Sequence, residues 1–129
     1  LMVSDDHKIS VANFRAVINE FFSRFFNRDV KIRLRPSYFP FVEPGFEVDI
    51  NCVSCEGDGC SVCSQTGWLE MMGAGMVHPK VYEAVGYNPA NLTGFAFGMG
   101  VDRLAMMKYK IGDVRLFYSG DTRFLSQFK

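Results

Sequence analysis

The chain has 129 residues, 48% of them hydrophobic, which is enough for one globular domain or for part of a larger one. Its 14 basic and 14 acidic residues cancel, so no overall field attracts it to nucleic acid or to a membrane. This balance does not exclude an RNA partner that binds a local surface. No apolar run approaches the roughly 18 residues of a membrane span and no leader pattern is visible, so we expect no membrane partner and a cytoplasmic protein. Residues 1–4 read as the inside of a strand, and we interpret the chain as a fragment.

The first predicted helix follows Ser10, a residue type that favours the N-cap position, and runs to about Asn27. Residues 30–35 then alternate apolar with basic side chains, which predicts a half-buried strand. We expect the basic face of this strand to be solvated, with contact to RNA as the functional alternative. The apolar residues of the helix are spaced for one buried face: Val11, Phe14, Val17, Ile18, Phe21, Phe22 and Phe25.

Two further alternating segments, residues 46–50 and 68–72, predict strands on either side of a cysteine-rich loop. Antiparallel strands with interspersed helices predict the α+β fold class, an antiparallel sheet with flanking helices. The remaining predicted elements are a short helix from near Pro79, a strand at Thr93, a helix carrying Arg103 and an amphipathic turn over residues 121–128.

Four cysteines fall within residues 52–63 in the spacing C-x-x-C-x4-C-x-x-C. Each C-x-x-C pair can offer two thiolates from one turn, and two such pairs complete a tetrahedral shell for zinc. Because four protein ligands leave no position for a substrate water, the predicted zinc is structural, with reduced or partly oxidised thiols as the alternative. The predicted zinc ligands are Cys52, Cys55, Cys60 and Cys63, and the glycines expected to supply the bends are Gly57, Gly59 and Gly67.

Residues 35–45 contain three prolines within nine residues, which prevents a helix and disfavours an internal sheet ladder. We therefore expect a fixed, partly extended path. Phe39 and Phe41 flank Pro40 and would then lie on the same side of the chain. Two such rings can hold a third ring edge-to-face, although aromatic pairs of this kind are more often part of a core.

Residues 93–106 read as an apolar strand, a Gly-x-Gly turn and a helix. We expect Gly98 and Gly100 to let the backbone turn tightly and to let a flat ligand approach closely. Asp102 suits the positive end of the following helix. Arg103 then projects a planar, permanently charged group towards whatever lies over the glycines.

Residues 35–45 and 94–106 together resemble the alpha chains of phenylalanyl-tRNA synthetases, a class II aminoacyl-tRNA synthetase family. Residues 73–79 and 121–128 match the same family, so the resemblance covers essentially the whole chain. The cysteine insertion is similar to a form found in some bacterial members. The resemblance implies the C-terminal part, residues 1–129, of a class II catalytic domain with the cysteine-rich hairpin at 52–63. It also implies that ATP, phenylalanine and tRNA give phenylalanyl-tRNA, AMP and pyrophosphate.

The resemblance assigns a phenylalanine pocket. Phe39 and Phe41 match the aromatic pair around the substrate ring, and Ala96 matches the small residue at the bottom of that pocket. A tyrosine hydroxyl would meet apolar walls there, which is a modest penalty. The residues implied to pass beneath the substrate backbone are Gly73, Ala74 and Gly75.

The resemblance also assigns an ATP site, in which Arg103 matches the arginine of the third class II motif, stacked on adenine with its charge facing the phosphates. Gly98 and Gly100 belong to the same ATP site. Glu43 matches a carboxylate that shares magnesium with the beta chain, and a salt bridge to a neighbouring arginine is the alternative on residue type alone. His78 is expected to form loop hydrogen bonds rather than to act as a catalytic base.

The family's other elements, motifs 1 and 2 and the tRNA-binding coiled coil, have no counterpart in this sequence, so we expect the chain alone to be inactive. The implied partners are phenylalanine, ATP, the phenylalanine tRNA and a beta chain in an α2β2 assembly. Two other functions stay open. One is a zinc-binding interaction module, because Cys52 to Gly59 fits the C-x-x-C-x-G-x-G pattern of chaperone cysteine-rich domains. The other is a catalytically dead synthetase-like regulator.

Overall fold

The structure is a computed structural model that describes residues 1–5 and 9–128. Five antiparallel strands form one sheet in the order β1-β5-β4-β3-β2. None of the helices in the described ranges is long and apolar enough to cross a membrane. The strands are β1 (Met2–Ser4), β2 (Ile32–Pro36), β3 (Val42–Asn51), β4 (Trp68–Val77) and β5 (Thr93–Met99), and the helices are α1 (Val11–Phe26), α2 (Pro79–Ala84), α3 (Val101–Tyr109) and α4 (Thr122–Leu125).

The chain divides into two compact units. The first, Leu1–Met99, contains the whole sheet with α1 and α2. The second, Gly100–Lys129, contains α3, α4 and the 3-10 turns Val114–Tyr118 and Ser126–Phe128. The antiparallel sheet with flanking helices confirms the predicted α+β class.

The predicted first helix is confirmed. Ser10 and Asn13 form a reciprocal capping box, in which the Asn13 N–H donates to the Ser10 hydroxyl and the Ser10 N–H donates to the Asn13 side chain at 3.0 Å. Asn27 ends the helix in the left-handed conformation, with φ 51°. The buried stripe of α1, Phe14, Ile18 and Phe22, is narrower than the predicted face, and the prediction is wrong at Val17, which is 43% exposed.

This stripe packs on one face of the sheet. The Phe14 ring centroid lies 5.6 Å from that of Phe95 on β5 and 6.3 Å from that of Phe46 on β3. Val48 and Ile50 continue the same face of β3 and are fully buried. The hydrophobic core of the first unit therefore lies between α1 and this face, which leaves the opposite face for other contacts.

Two strands are longer than the sequence predicts. β3 begins at Val42 instead of residue 46, and β4 continues to Val77 instead of residue 72. Pro44 is tolerated because it lies inside a register shift between Val42 and Gly45, where its missing N–H removes no regular ladder bond. β2 begins at Ile32, two residues later than predicted.

Candidate functional site

Small residues line the sheet face opposite α1. Gly75 of β4 pairs with Ala96 of β5, and Gly73 pairs with Gly98, so these four positions form one patch on the same side. Ala74 has the opposite orientation, because it pairs with Phe97 and is only 3% exposed on the side that α1 covers. Ala74 can therefore present only main-chain groups to the open face.

An aromatic turn, residues 36–42, lies on this patch. The Val42 N–H donates to the Phe39 carbonyl at 3.4 Å, and the rings of Phe39 and Phe41 lie 5.9 Å apart with an interplanar angle of 31°. The predicted proximity of the two rings is confirmed. The predicted partly extended path is confirmed at residues 35–36 and 42–45, which belong to β2 and β3. A tight turn at residues 40–41 interrupts it and brings the rings together. Phe41 is 55% exposed, so its ring is accessible to a ligand.

The aromatic turn approaches the sheet closely because the residues beneath it have no side chains. A Cβ on Gly73 would lie 2.9 Å from Phe39 Cζ, and a Cβ on Gly75 would lie 2.8 Å from Val42 Cβ. Both distances are shorter than real Cβ contacts. Above Gly98, in contrast, no heavy atom lies within 4 Å of the Cβ direction. The patch is thus closed at Gly73 and open at Gly98, beside Ala96.

A network of ion pairs borders the patch, and the sequence did not reveal it. Asp49 is 1% exposed and accepts four hydrogen bonds, two from Arg33 at 2.9 and 2.7 Å and two from Arg35 at 2.7 and 2.9 Å. Arg35 also contacts Glu47 at 2.7 Å and Glu70 at 3.4 Å. Burial opposes ionisation of Asp49, but the hydrogen bonds from the two arginines outweigh it and lower the pKa of this carboxyl.

The expectation that the basic face of β2 is simply solvated is therefore wrong. Arg33 pairs with Asp49, and its guanidinium carbon also lies 4.5 Å from the ring centroid of Trp68. The alternation in residues 30–35 and 46–50 suggests two half-buried strands, but it does not give their register. Only the pairing of Arg33 with Asp49 across β2 and β3 brings these charges together.

His78 and Glu43 lie at the other end of the aromatic turn, at an open cavity of about 670 Å³ that Phe39 also lines. The Lys80 N–H donates to His78 Nδ1 at 3.1 Å, so His78 is the N-cap of α2, which confirms its predicted hydrogen-bonding role. His78 Nε2 lies 3.2 Å from a Glu43 carboxylate oxygen, and the His78 N–H donates to the Phe41 carbonyl at 3.0 Å. The partner of Glu43 recorded here is thus a histidine and not the arginine suggested as the alternative.

The four cysteines converge in the loop between β3 and β4, a hairpin excursion as predicted. Their sulfur atoms lie within 4.8 Å of one another, and the pairs 52/60, 55/63 and 60/63 are each 3.8 Å apart. A tetrahedral zinc site with Zn–S bonds of about 2.3 Å requires S–S distances of about 3.8 Å. The predicted bends at Gly57, Gly59 and Gly67 have φ of 105°, 100° and 74°, which glycine adopts without strain.

Backbone groups point at the sulfurs of this cluster. The Cys60 and Gly67 N–H groups donate to Cys63 Sγ at 3.1 and 3.3 Å, and the Gly59 N–H donates to Cys55 Sγ at 3.2 Å. Burial opposes ionisation of Cys63, but the N–H groups of Cys60 and Gly67 outweigh it and lower the pKa of its thiol to about 6. These backbone groups therefore stabilise the thiolate of Cys63, the form that binds metal, whereas burial raises the pKa of the Cys52 thiol to about 11.

Of the predicted ATP residues, Gly98 belongs to the first unit, and Gly100 and Arg103 belong to the second. Gly98 lies within β5, and Gly100 is the N-cap of α3 with φ −76° and ψ 124°. The expected tight turn is confirmed, because Gly100 alone separates β5 from α3. Neither glycine has a positive φ, so this turn does not need the conformational freedom of glycine, and the close-approach argument still applies at Gly98. Arg103 is exposed in the first turn of α3. Asp102, also in that turn, accepts a 2.5 Å hydrogen bond from the Tyr118 hydroxyl.

Residues 2–128 match the sequence profile of the family described as tRNA synthetases class II core domain (F). The chain belongs to this family. It is 56% identical over 124 residues to the phenylalanine–tRNA ligase alpha subunit of Halalkalibacterium halodurans, an alignment that covers 96% of this chain and 36% of the relative. The corresponding subunit of Leptospira biflexa is 59% identical over 120 residues, 93% of this chain and 35% of the relative. The family predicted from the motifs is confirmed, and this core-domain chain spans about a third of the length of these relatives.

The closed and open ends of the patch give a matched pair of substitutions. We expect Gly73→Ala to lower the free energy of unfolding by about 1–3 kcal/mol, because its Cβ displaces the Phe39 ring. The Cβ that Gly98→Ala adds has no neighbour within 4 Å, so this substitution should change the free energy of unfolding by less than about 0.5 kcal/mol. Urea unfolding followed by circular dichroism measures both. Equal effects at the two positions would contradict the close packing of Phe39 on Gly73.

The ion pairs at Asp49 predict a pH dependence. The pKa of Asp49 is lower in the folded state than in the unfolded state, so its contribution to stability is complete above about pH 4 and is lost as the pH falls through the folded pKa. Asp49→Asn should cost about 2–3 kcal/mol at pH 7 and progressively less in acid. Unfolding measured from pH 2 to 7 tests this, with the exposed Glu70→Gln as control. A cost that stays constant with pH would contradict the assignment.

Proposed function

We propose that this chain forms part of the phenylalanine and ATP sites of a phenylalanine–tRNA ligase. The observation that carries the proposal is the Phe39 ring, 5.9 Å from that of Phe41, packed on a glycine patch that stays open at Gly98, beside Ala96. A patch without side chains beside two rings suits a flat aromatic substrate. The relatives that share 56–59% of the aligned residues are named phenylalanine–tRNA ligase alpha subunits, which supports this substrate.

The aromatic turn would select phenylalanine by shape and polarity. Phe39 and Phe41 would pack against the substrate ring, each pair contributing about 0.5–1.5 kcal/mol beyond burial. Ala96 would form the bottom of the pocket, where the small side chain leaves room for the ring. A tyrosine hydroxyl would lose hydrogen bonds to water against these apolar walls, so tyrosine would bind less well. Gly73, Ala74 and Gly75 would pass beneath the backbone of the amino acid.

The chemistry assigned to the ATP residues is alignment and charge stabilisation. The carboxylate of phenylalanine is already ionised at neutral pH, so its attack on the α-phosphate of ATP needs no strong general base. Arg103 would stack its planar guanidinium on adenine and face the phosphates with its charge. Gly98 and Gly100 would allow the nucleotide to approach the backbone closely. Glu43 has a 74% exposed side chain, and a single carboxylate of this kind suits magnesium, which keeps waters and phosphate oxygens as its other ligands.

The complete reaction would require more than this chain. Because the chain spans about a third of its relatives, we infer that the remaining parts of the synthetase supply motifs 1 and 2 and contacts to the tRNA. The name alpha subunit, carried by the relatives, supports a beta chain as partner, and we propose an α2β2 assembly in the cytoplasm. The isolated 129-residue chain should be inactive.

The four cysteines would hold a structural zinc ion. Cys52, Cys55, Cys60 and Cys63 supply four sulfurs at tetrahedral spacing, so the ligand shell is complete without a substrate or water. The ion would fix the conformation of the loop between β3 and β4. It would take no part in the chemical step, because the shell leaves no open position.

Amino-acid-dependent ATP–pyrophosphate exchange tests the proposed function. We expect the full-length protein with its beta subunit to exchange with phenylalanine alone among all amino acids, and Ala96→Gly to admit para-substituted phenylalanines because it deepens the pocket. Absence of exchange from the folded, metal-loaded complex would favour a catalytically dead paralogue or a zinc-binding interaction module. Unchanged discrimination by Ala96→Gly would contradict the role of Ala96 while leaving the reaction intact.

Metal analysis tests the zinc site independently of activity. We expect about one zinc per chain and a lower melting temperature after chelation, because metal binding contributes to folding. Cys60→Ser should lose the metal and show the same lower melting temperature. The adjacent substitution Ser61→Ala, at an exposed residue, should keep the metal and the melting temperature of the wild type. A metal-free protein with an unchanged melting temperature would show that the cysteines do not hold a structural ion.

A further inference from the structure

We propose that Ser37 and Glu47 are positioning residues for phenylalanine, which link the buried Asp49 to the aromatic turn and so set the orientation of Phe39. This inference rests on the proposed function, because it concerns the same phenylalanine pocket. The hydrogen-bonded series Asp49, Arg35, Glu47 and Ser37 lies outside the residues proposed to contact phenylalanine.

Asp49 is the fixed end of this chain. It is 1% exposed and is held by two guanidinium groups. Arg35 approaches it with two parallel bonds, from Nε to Oδ2 at 2.7 Å and from Nη2 to Oδ1 at 2.9 Å. Such a bidentate pair fixes the plane of the guanidinium, and it therefore also fixes the direction of the remaining nitrogen, Nη1.

Glu47 transmits this orientation to the turn. Arg35 Nη1 lies 2.7 Å from Glu47 Oε2, and the Ser37 hydroxyl donates to the other oxygen, Oε1, at 3.0 Å. Both carboxylate oxygens of Glu47 are thus engaged, one by a cation and one by the residue that begins the aromatic turn. A hydrogen bond to a charged acceptor is stronger than one between neutral groups.

Ser37 is two residues before Phe39 and is held at both its side chain and its backbone. Its N–H donates to the Gly45 carbonyl at 3.0 Å, which continues the pairing of β2 with β3. The Phe39 ring then meets Gly73 at the closed end of the patch. A small rotation of the chain at Ser37 would shift this ring across the patch, so the Ser37 hydroxyl controls the width of the pocket.

This arrangement predicts a selective kinetic effect. Loss of the Ser37 hydroxyl should weaken phenylalanine binding about tenfold, because the substrate must then order an aromatic turn that one hydrogen bond to a charged group holds in place beforehand. The KM for ATP should not change, because the Ser37 hydroxyl is joined to the aromatic turn, which is assigned to phenylalanine. A purely structural role would instead lower the melting temperature and affect both substrates alike.

The test is pyrophosphate exchange by the full-length protein assembled with its beta subunit, with the KM measured for phenylalanine and for ATP. Ser37→Ala should raise the KM for phenylalanine about tenfold without changing that for ATP, and Ser37→Thr, which retains a hydroxyl, should restore it. Glu47→Gln should act in the same direction as Ser37→Ala, because it weakens the pairing with Arg35 that orients the acceptor of the Ser37 hydroxyl. Glu70→Gln is the control for the loss of a carboxylate beside Arg35, since the exposed Glu70 contacts the same arginine at 3.4 Å.

An unchanged KM for phenylalanine in both Ser37→Ala and Glu47→Gln, in a complex whose wild type exchanges with phenylalanine, would overturn this inference and leave the proposed function standing. A parallel rise of both KM values with a lower melting temperature would also overturn it, in favour of a structural role. A folded wild-type complex that shows no phenylalanine-dependent exchange would overturn the proposed function and this inference with it.

Discussion

The alternation of side chains along β3, β4 and β5 is the constraint on which the rest of the first unit depends. One face of these strands carries Phe46, Phe95 and other large apolar residues that pack against α1, so it has no room for a ligand. The other face carries only glycine or alanine at four positions that form two cross-strand pairs, Gly73 with Gly98 and Gly75 with Ala96. Because a shift of one residue would exchange the two faces, the core packing of α1 also determines which face is available to a substrate.

On the face opposite α1, the buried carboxylate of Asp49 fixes the orientation of the charged side chains around it. Removing a charge from water is costly, and here two arginines compensate it through four hydrogen bonds. The arginines remain partly exposed, with 44% and 42% of their side chains accessible, so part of their hydration is retained. The network therefore contributes to orientation more than to stability. Its directional bonds fix the position at which β2 ends and the aromatic turn begins.

The sequence predicted the α+β class, the capped α1 and the family, because these depend on local patterns: a capping residue, a helical apolar period and specific motifs. The conformation of the aromatic turn and the charge network depend on register instead. Pro44 argued against a strand, but it lies in a register shift that no local rule reveals. Likewise the basic residues of β2 read as solvated until Asp49 is known to pair opposite Arg33. Phe39 and Phe41 were predicted to form an aromatic pair because of the motif in residues 35–45, and not because of a hydrophobic period.

The cysteine loop is joined to the same sheet by contacts that do not need a metal. The Cys52 N–H donates to the Gly67 carbonyl at 2.8 Å, which closes the base of the loop directly above the pair Asn51 and Trp68. Arg28, just beyond α1, donates to the Val53 carbonyl at 3.1 Å and pairs with Glu56 at 2.7 Å. An ion in the sulfur cluster would therefore order a loop whose two ends are already fixed, and the entropy it removes is that of the loop interior. On this reasoning a short metal-free turn could replace the loop without disturbing β3 and β4, because the pairing of Asn51 with Trp68 already aligns them.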